Sequence, residues 1–146
     1  MLRHSWWVFL AMLLVGFSLE SFAQQLAEER VSSTSLSSRL CFGWFSTVAY
    51  GSLTIAVWLL LDHATSWLIV RFLSLWLAIL FCWTSWFHLF LVVASSTASL
   101  PLLLLTFALQ LYLLASSVSL SPVATYLLVV PWAWTLCLLG AQLSLF

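Results

Sequence analysis

Residues 72–146, the second half of the chain, contain no aspartate, glutamate, lysine or arginine, and His88 is the one histidine among them. A soluble domain cannot be built this way, because its surface needs charged side chains to stay dispersed. This half must therefore fold in hydrocarbon. Across the chain 64% of the residues are hydrophobic and 5% are charged, whereas roughly 25% are charged in ordinary globular proteins. We predict an all-α, polytopic transmembrane helical bundle.

Charge also restricts the partners that the chain can bind. It has no lysine, and its four arginines balance its four acidic residues, so it offers no basic patch to a phosphate backbone. No nucleic-acid partner is predicted. Membrane lipids, and other membrane protein subunits or further copies of the chain, are the expected partners. The three cysteines show no CxxC or Cys-His spacing, which gives no sign of a disulfide framework.

The sequence divides into three regions. Residues 1–23 combine a basic start at Arg3, an apolar run and the small-x-small tail Ser21-Phe22-Ala23, a pattern typical of a signal peptide or a first transmembrane helix. Residues 24–40 form a polar connecting segment that can begin with one or two helical turns around residues 26–31. Residues 41–146 are predicted to be a four-helix transmembrane domain. The bundle thus has five helices, or four if residues 1–23 are a cleaved signal peptide.

Short polar turns divide the transmembrane domain into four apolar runs. The predicted helices span residues 41–61, 66–94, 101–115 and 122–146, and the turns span residues 62–65, 95–99 and 116–121. Pro101 and Pro122 are expected in first helical turns, where a missing N–H group costs little. Pro131 lies inside the last run and is expected to bend its helix.

Two patterns predict helix packing. Gly43, Thr47 and Gly51 recur at i, i+4 and i+8, and such small residues let another backbone approach closely. We expect this small-residue stripe to mark the closest helix contact in the molecule. Trp76 and Trp83 lie well inside the third run, away from the interface that tryptophan prefers, so both indoles are expected to face protein rather than lipid.

Polar and ionisable side chains at membrane depth are the candidate functional residues, because lipid penalises them. Arg71, His88 and Gln110 form the candidate polar membrane site. Arg71 either contacts an anion or Asp62, or extends to the membrane interface. His88 either packs at the interface or titrates as a proton or ion site. Gln110 is expected to hydrogen-bond between helices, as are several serine and threonine hydroxyls of the third run.

Two other residues bear on cofactors and proton chemistry. Glu20, near the end of the first apolar run, is either a proton-relay carboxylate or an interfacial residue. A haem or metal ion would need a second ligand besides His88. The obvious one, His63, lies 25 residues away along a nearly continuous helix, or about 37 Å. No cofactor and no metal site is therefore predicted.

The arginines carry little information on orientation. With the N-terminus inside, Arg3 and Arg71 are inside while Arg30 and Arg39 are outside. Each side then carries two arginines, so the positive-inside rule favours neither orientation. The signal-like order of residues 1–23 favours an N-terminus on the inside. The sequence predicts an integral membrane protein without naming the membrane.

The motifs and patterns of the sequence indicate which functions the chain can have. No Ser-His-Asp order, glycine-rich phosphate loop, HExxH or paired-carboxylate motif occurs, so no catalytic residue is predicted. The chain leaves almost no mass outside the membrane, and its recognisable patterns serve packing. We therefore predict a non-catalytic integral membrane subunit, an accessory, scaffold or assembly component of a larger membrane protein complex. The alternative is a small oligomeric transporter, channel or lipid-handling membrane protein.

Overall fold

The computed structural model describes residues 6–30, 36–93 and 96–144, and these contain five α-helices, one π-helical segment and no β-strand. In chain order the elements are α1 (Trp6–Arg30), α2 (Leu36–His63), α3 (Ser66–Phe87), the π-helical segment (His88–Val92), α4 (Ser96–Ser117) and α5 (Pro122–Leu143). The predicted all-α bundle of five helices is confirmed. Helices α2 to α5 are long and apolar enough to cross a membrane, whereas the apolar part of α1 is shorter.

The polar connecting segment, residues 24–40, is mostly helical. Helix α1 continues to Arg30 and α2 already begins at Leu36, five residues before the predicted start. Residues 24–30 read QQLAEER, and each of these residue types has high helix propensity. Helix propensity therefore carries α1 beyond its apolar stretch, and the helical turns expected around residues 26–31 belong to α1 as far as Arg30. The predicted start of the next helix, residue 41, is five residues too late.

The predicted turn at residues 62–65 is also shorter than expected. Asp62 and His63 belong to the last turn of α2, and Ala64 and Thr65 alone lie between α2 and α3. The Ala64 N–H donates to the Leu61 carbonyl oxygen at 3.3 Å, which tightens the chain before it reverses. Asp62 is therefore too early in the chain to cap α3.

Two further helix ends differ from the prediction. Helix α4 begins at Ser96, so Pro101 lies in its second turn and removes one backbone hydrogen bond there instead of occupying the first turn. The run 66–94 is not one α-helix, because it changes to π-helical geometry at His88, where the Val93 N–H donates to the His88 carbonyl at 3.1 Å. Helix α5 begins at Pro122, as predicted.

Consecutive helices run in opposite directions and define two membrane sides. We call side A the one with the connections 64–65 and 118–121, and side B the one where α1 ends and α2 and α4 begin. Helix α2 packs against α5, α1 and α3, while α4 packs against α3 and α5. Buried residues make up 56% of the apolar stretch of α2 but 28% of those of α4 and α5, so α2 is the central helix.

Helices α4 and α5 bury a regular seam. The buried positions recur at alternating steps of three and four residues, the spacing of antiparallel helices that pack side chain into side chain. In α4 they are Ser99, Leu103, Thr106, Gln110, Leu113 and Ser117, and in α5 they are Ala124, Leu128, Pro131, Thr135, Leu138 and Gln142. The seam is more polar than the outward faces, which is how a membrane helix keeps hydrogen-bonding groups away from lipid.

Hydrogen bonds close this seam at both sides. At side B the Trp86 indole N–H of α3 donates to the Gln142 side-chain oxygen at 2.8 Å, and the Gln142 amide nitrogen donates to the Ser99 hydroxyl at 2.8 Å. At side A the hydroxyls of Ser117 and Thr125 are 2.9 Å apart. These contacts tie α3, α4 and α5 to one another.

Candidate functional site: a buried carboxyl cluster near side B

One carboxyl group lies buried between the helices near side B. Glu20 of α1 is 4% exposed, and the Thr47 hydroxyl of α2 donates to its Oε1 at 2.5 Å. The same hydroxyl lies 3.0 Å from the Gly43 carbonyl oxygen, one turn earlier in α2. A carboxyl group at membrane depth is costly unless its neighbours hydrogen-bond to it. The Thr47 contact therefore offsets part of the cost of burying Glu20.

The sequence of α1 explains why this carboxyl group points into the bundle. Met12, Gly16 and Glu20 recur every four residues and are all buried, so they form the face that α1 turns toward the other helices. At Gly16 an added Cβ would lie 3.7 Å from the Thr54 hydroxyl oxygen of α2, which is ordinary van der Waals contact. The α1 backbone at Gly16 thus lies close to Thr54 one turn away from Glu20, at a separation that an alanine would also fit.

Polar side chains from α2 and α3 complete the surroundings of the carboxyl group. Tyr50 and Trp83 are both buried, with ring centroids 4.7 Å apart, and the Tyr50 hydroxyl lies beside Thr84 without a well-formed hydrogen bond. The Trp83 indole N–H has no hydrogen-bond partner among the described residues. We call this group the Glu20 cluster; its members are Glu20, Thr47, Tyr50 and Thr84, with the Trp83 ring against Tyr50.

The donor set of the Glu20 cluster limits its chemistry. Carboxyl and hydroxyl oxygens are hard ligands that suit a proton or a small hard cation, and not a soft metal ion. Within the parts of the chain that the structure describes, no three His, Cys, Asp or Glu side chains come together as a metal site. The cluster therefore has the composition of a proton or monovalent-cation site built around one carboxyl group.

The three residues of the predicted polar membrane site lie apart. Arg71 is near the side A end of α3, and its guanidinium carbon is 4.8 Å from the centre of the Tyr112 ring of α4, in a cation–π contact. His88 follows 17 residues later, about 25 Å along the same helical rod. These two residues therefore approach opposite membrane sides. Arg71, His88 and Gln110 line no common cavity.

Gln110 is 2% exposed, yet neither its side-chain oxygen nor its nitrogen has a hydrogen-bond partner among the described residues. The expected interhelical hydrogen bond is thus not made among the described residues. The contacts Ser99–Gln142 and Ser117–Thr125 set the register of the hairpin and place Gln110 level with Pro131. Proline has neither an N–H group nor a polar side chain to offer, which explains the unmet amide.

The hydroxyls of α3 also differ from the expectation of bonds between helices. Ser74 and Thr84 donate to the backbone carbonyls of Val70 and Leu80, one turn earlier in their own helix. A hydroxyl in an apolar helix finds that carbonyl without any partner helix. The interhelical bonds of the described residues include those of the tryptophan indoles, of Gln142 and of Thr47, and the hydroxyl pair Ser117–Thr125.

The small-residue stripe is only partly engaged. Thr47 contacts Glu20. At Gly51, however, an added Cβ would meet no atom within 4 Å, so no helix among the described residues approaches closely there. The expectation that Gly51 marks the closest contact within the molecule is therefore wrong. The two indoles expected to face protein, Trp76 and Trp83, are 3% and 1% exposed, and Trp76 donates to the Thr54 hydroxyl at 3.3 Å.

The sequence leaves the role of Glu20 open and does not indicate its neighbour Tyr50, because nothing in the spacing of α2 connects Tyr50 with a residue of α1. One signal was present: Met12, Gly16 and Glu20 share a helix face with a glycine between two larger residues. That pattern predicts an α1 face that packs against another helix, and it would have placed Glu20 inside the bundle.

Comparison with known proteins gives no functional information on the site. No protein-family model matches the chain, and searches of curated proteins and of solved structures give no match to it.

Proposed function

We propose that this chain is a non-catalytic integral membrane subunit, an accessory, scaffold or assembly component of a larger membrane protein complex. The observation that supports this proposal is an open notch on the outward face of α2. Trp44, Val48 and Ile55 are exposed on this face, and Gly51 lies between them with free space where its side chain would be. A glycine notch flanked by larger side chains is a surface on which a helix of another subunit can pack closely.

The distribution of charge fits the same role. Helix α1 continues seven residues past Ala23, the end of the first apolar run, and α2 begins five residues before Cys41, the start of the second. Both extensions lie on side B and are about 10 Å and about 8 Å long. The sequence of these extensions holds four of the eight charged residues of the chain, Glu28, Glu29, Arg30 and Arg39. The sequence thus places half of the charged residues at the side B ends of α1 and α2.

The test compares two glycines that are equally free of neighbours within the chain. Gly51→Leu fills the notch on α2, and Gly140→Leu places the same side chain on α5, where an added Cβ also meets nothing within 4 Å. Both variants should fold, as judged by their thermal midpoint in detergent. We expect Gly51→Leu alone to lose the partner subunits that co-purify from native membranes. Wild-type protein that purifies as a monodisperse monomer without any partner contradicts the proposal.

The Glu20 cluster favours a second candidate function, a small oligomeric transporter of protons or monovalent cations. A buried carboxyl group surrounded by hydroxyls is the kind of intramembrane site that such proteins use. If the chain transports, Glu20→Gln should abolish flux in reconstituted liposomes while preserving the thermal midpoint, because the amide keeps the shape of the carboxyl group. His88→Gln is the matched control outside the cluster. Absence of flux in the wild-type protein, or equal flux in Glu20→Gln, contradicts this function.

A further inference from the structure

Arg71 is the one arginine or lysine among residues 40–146, and it lies within the apolar stretch Ser66–Phe90. It follows Ser66, the first residue of α3, by five residues, which places it about 7.5 Å along the helix from the side A end. The side chain is partly buried. A guanidinium group stays charged in proteins, and lipid penalises a charge that has no counter-charge. Arg71 therefore requires an anion.

The chain does not supply this anion. Asp62 is the one acidic residue on side A, because Glu20, Glu28 and Glu29 lie toward the side B end of α1. Asp62 is exposed in the last turn of α2, and among the described residues it forms no ion pair with Arg71. The counter-charge for Arg71 must therefore come from the surroundings of the protein.

Tyr112 of α4 holds the guanidinium group in place. Its ring centre is 4.8 Å from the guanidinium carbon of Arg71, within the range of a cation–π contact. Tyr112 precedes Ser117, the last residue of α4, by five residues, so it lies at the same depth below side A as Arg71. A ring contact uses the face of the aromatic system and none of the five guanidinium N–H donors. These donors form no hydrogen bond with the described residues, which leaves them available to a ligand.

The side chains around Arg71 carry hydrogen-bond donors and no carboxylate. Trp67 lies one turn closer to side A on the same face of α3 and is 73% exposed, and Tyr112 is 43% exposed. An indole N–H and a phenol O–H are both donors, and tryptophan and tyrosine are the residues that lie at headgroup level in membrane proteins. A guanidinium, an indole and a phenol on one outward face are thus a donor set for an anion at the membrane surface.

We propose that Arg71, Tyr112 and Trp67 bind the phosphate group of a phospholipid from the side A leaflet. The planar guanidinium group binds two phosphate oxygens at once, and the Tyr112 ring holds that plane in position. Lipid phosphates are the anions that lie at the depth of this site, and a long arginine side chain extends toward them. The inference is independent of the subunit role, since this site lies on α3 and α4 whereas the Gly51 notch lies on α2.

The test measures lipid binding to the full chain in a mild non-ionic detergent by native mass spectrometry. The probes are phosphatidylglycerol and a glycosylated diacylglycerol with the same acyl chains, which has no phosphate. Arg71→Lys keeps the positive charge but loses the planar fork. It should lower the affinity for the first bound phosphatidylglycerol roughly tenfold, the loss of one charge-assisted hydrogen bond, and leave the affinity for the glycolipid unchanged. Arg39→Lys makes the same change on side B and should bind both lipids as the wild type does.

A second pair of variants tests the aromatic ring. Tyr112→Leu removes the face that holds the guanidinium group and should weaken phosphatidylglycerol binding about threefold, whereas Tyr112→Phe keeps that face and should restore most of the affinity. Wild-type affinity in Arg71→Lys, or an equal loss in Arg39→Lys, overturns the proposal, because an arginine that merely extends to the interface tolerates lysine. Displacement of the bound phosphatidylglycerol by inorganic phosphate also overturns it, since the site would then belong to a soluble anion.

Discussion

The α1–α3 region and the α4–α5 hairpin both bury polar side chains, but they use them differently. In the hairpin, Ser99 and Gln142 bond to each other at one end, and Ser117 and Thr125 lie within hydrogen-bond distance at the other. Around Glu20, by contrast, polar groups converge from three helices, and the Tyr50 hydroxyl and the Trp83 indole N–H have no hydrogen-bond partner among the described residues. Paired groups fix the position of helices, whereas converging polar groups can bind a ligand. Paired groups therefore hold the hairpin at its two ends, whereas the Glu20 cluster has the composition of a site.

The largest expected effect tests where the main core lies. Leu53 of α2 is completely buried within the larger hydrophobic cluster, and Leu103 of α4 is completely buried within the smaller one. Leu53→Ala should destabilise the protein by about 3–5 kcal/mol and Leu103→Ala by about 2 kcal/mol, because fewer neighbours surround the second cavity. Thermal or denaturant midpoints in a mild detergent measure both, and Leu105→Ala is the exposed control. A larger effect at Leu103 would place the core in the hairpin and break the comparison.

A loss of stability of intermediate size is expected for a hydrogen-bonded buried amide side chain and not for an unpaired one. Gln142 and Gln110 are both almost fully buried, but only Gln142 forms side-chain hydrogen bonds within the described residues. Gln142→Leu strands the Trp86 N–H and should cost about 1–3 kcal/mol. Gln110→Leu removes two unpaired polar atoms and should leave stability unchanged or raise it. If Gln110→Leu proves as destabilising as Gln142→Leu, then Gln110 has a partner that the described residues do not include.

The smallest expected difference in stability compares a hydrogen-bonded tryptophan indole with an unpaired one. The Trp86 N–H donates to Gln142 at 2.8 Å, whereas the Trp83 N–H has no partner among the described residues, and both rings are buried. Replacing each tryptophan by phenylalanine removes a similar volume. Trp86→Phe should therefore cost about 1 kcal/mol more than Trp83→Phe, the typical net value of one hydrogen bond. Equal losses in the same melting assay would show that packing volume, and not the hydrogen bond, dominates at Trp86.

The helices were predictable because lipid leaves few choices. A run of about 20 apolar residues that must satisfy its backbone hydrogen bonds without water can only be a helix, and the polar turns divided the runs. Helix ends were less predictable, as at residues 24–30 and at Asp62. In water, beyond the apolar runs, helix propensity and local capping decide where a helix stops, and these are weak, competing preferences.

The candidate site was much less predictable than the helices. The sequence marks Glu20 as unusual, but convergence of Thr47, Tyr50 and Thr84 on it depends on how three helices rotate about their axes. A rotation of one helix by a third of a turn would separate these side chains without changing any apolar run. Gln142 was overlooked for the same reason: its partners lie 43 and 56 residues away in the sequence.

The short connections between helices have a consequence for how the protein is inserted during its biosynthesis. Helix α3 follows α2 after two residues, and α5 follows α4 after residues 118–121. Neither the connection 118–121 nor any other residue after Arg71 carries an arginine or lysine that could retain it on the cytoplasmic side of the translocation machinery. Helices α4 and α5 must therefore take their direction from the spans that precede them. The direction in which α4 and α5 cross therefore depends on how α1, α2 and α3 are inserted.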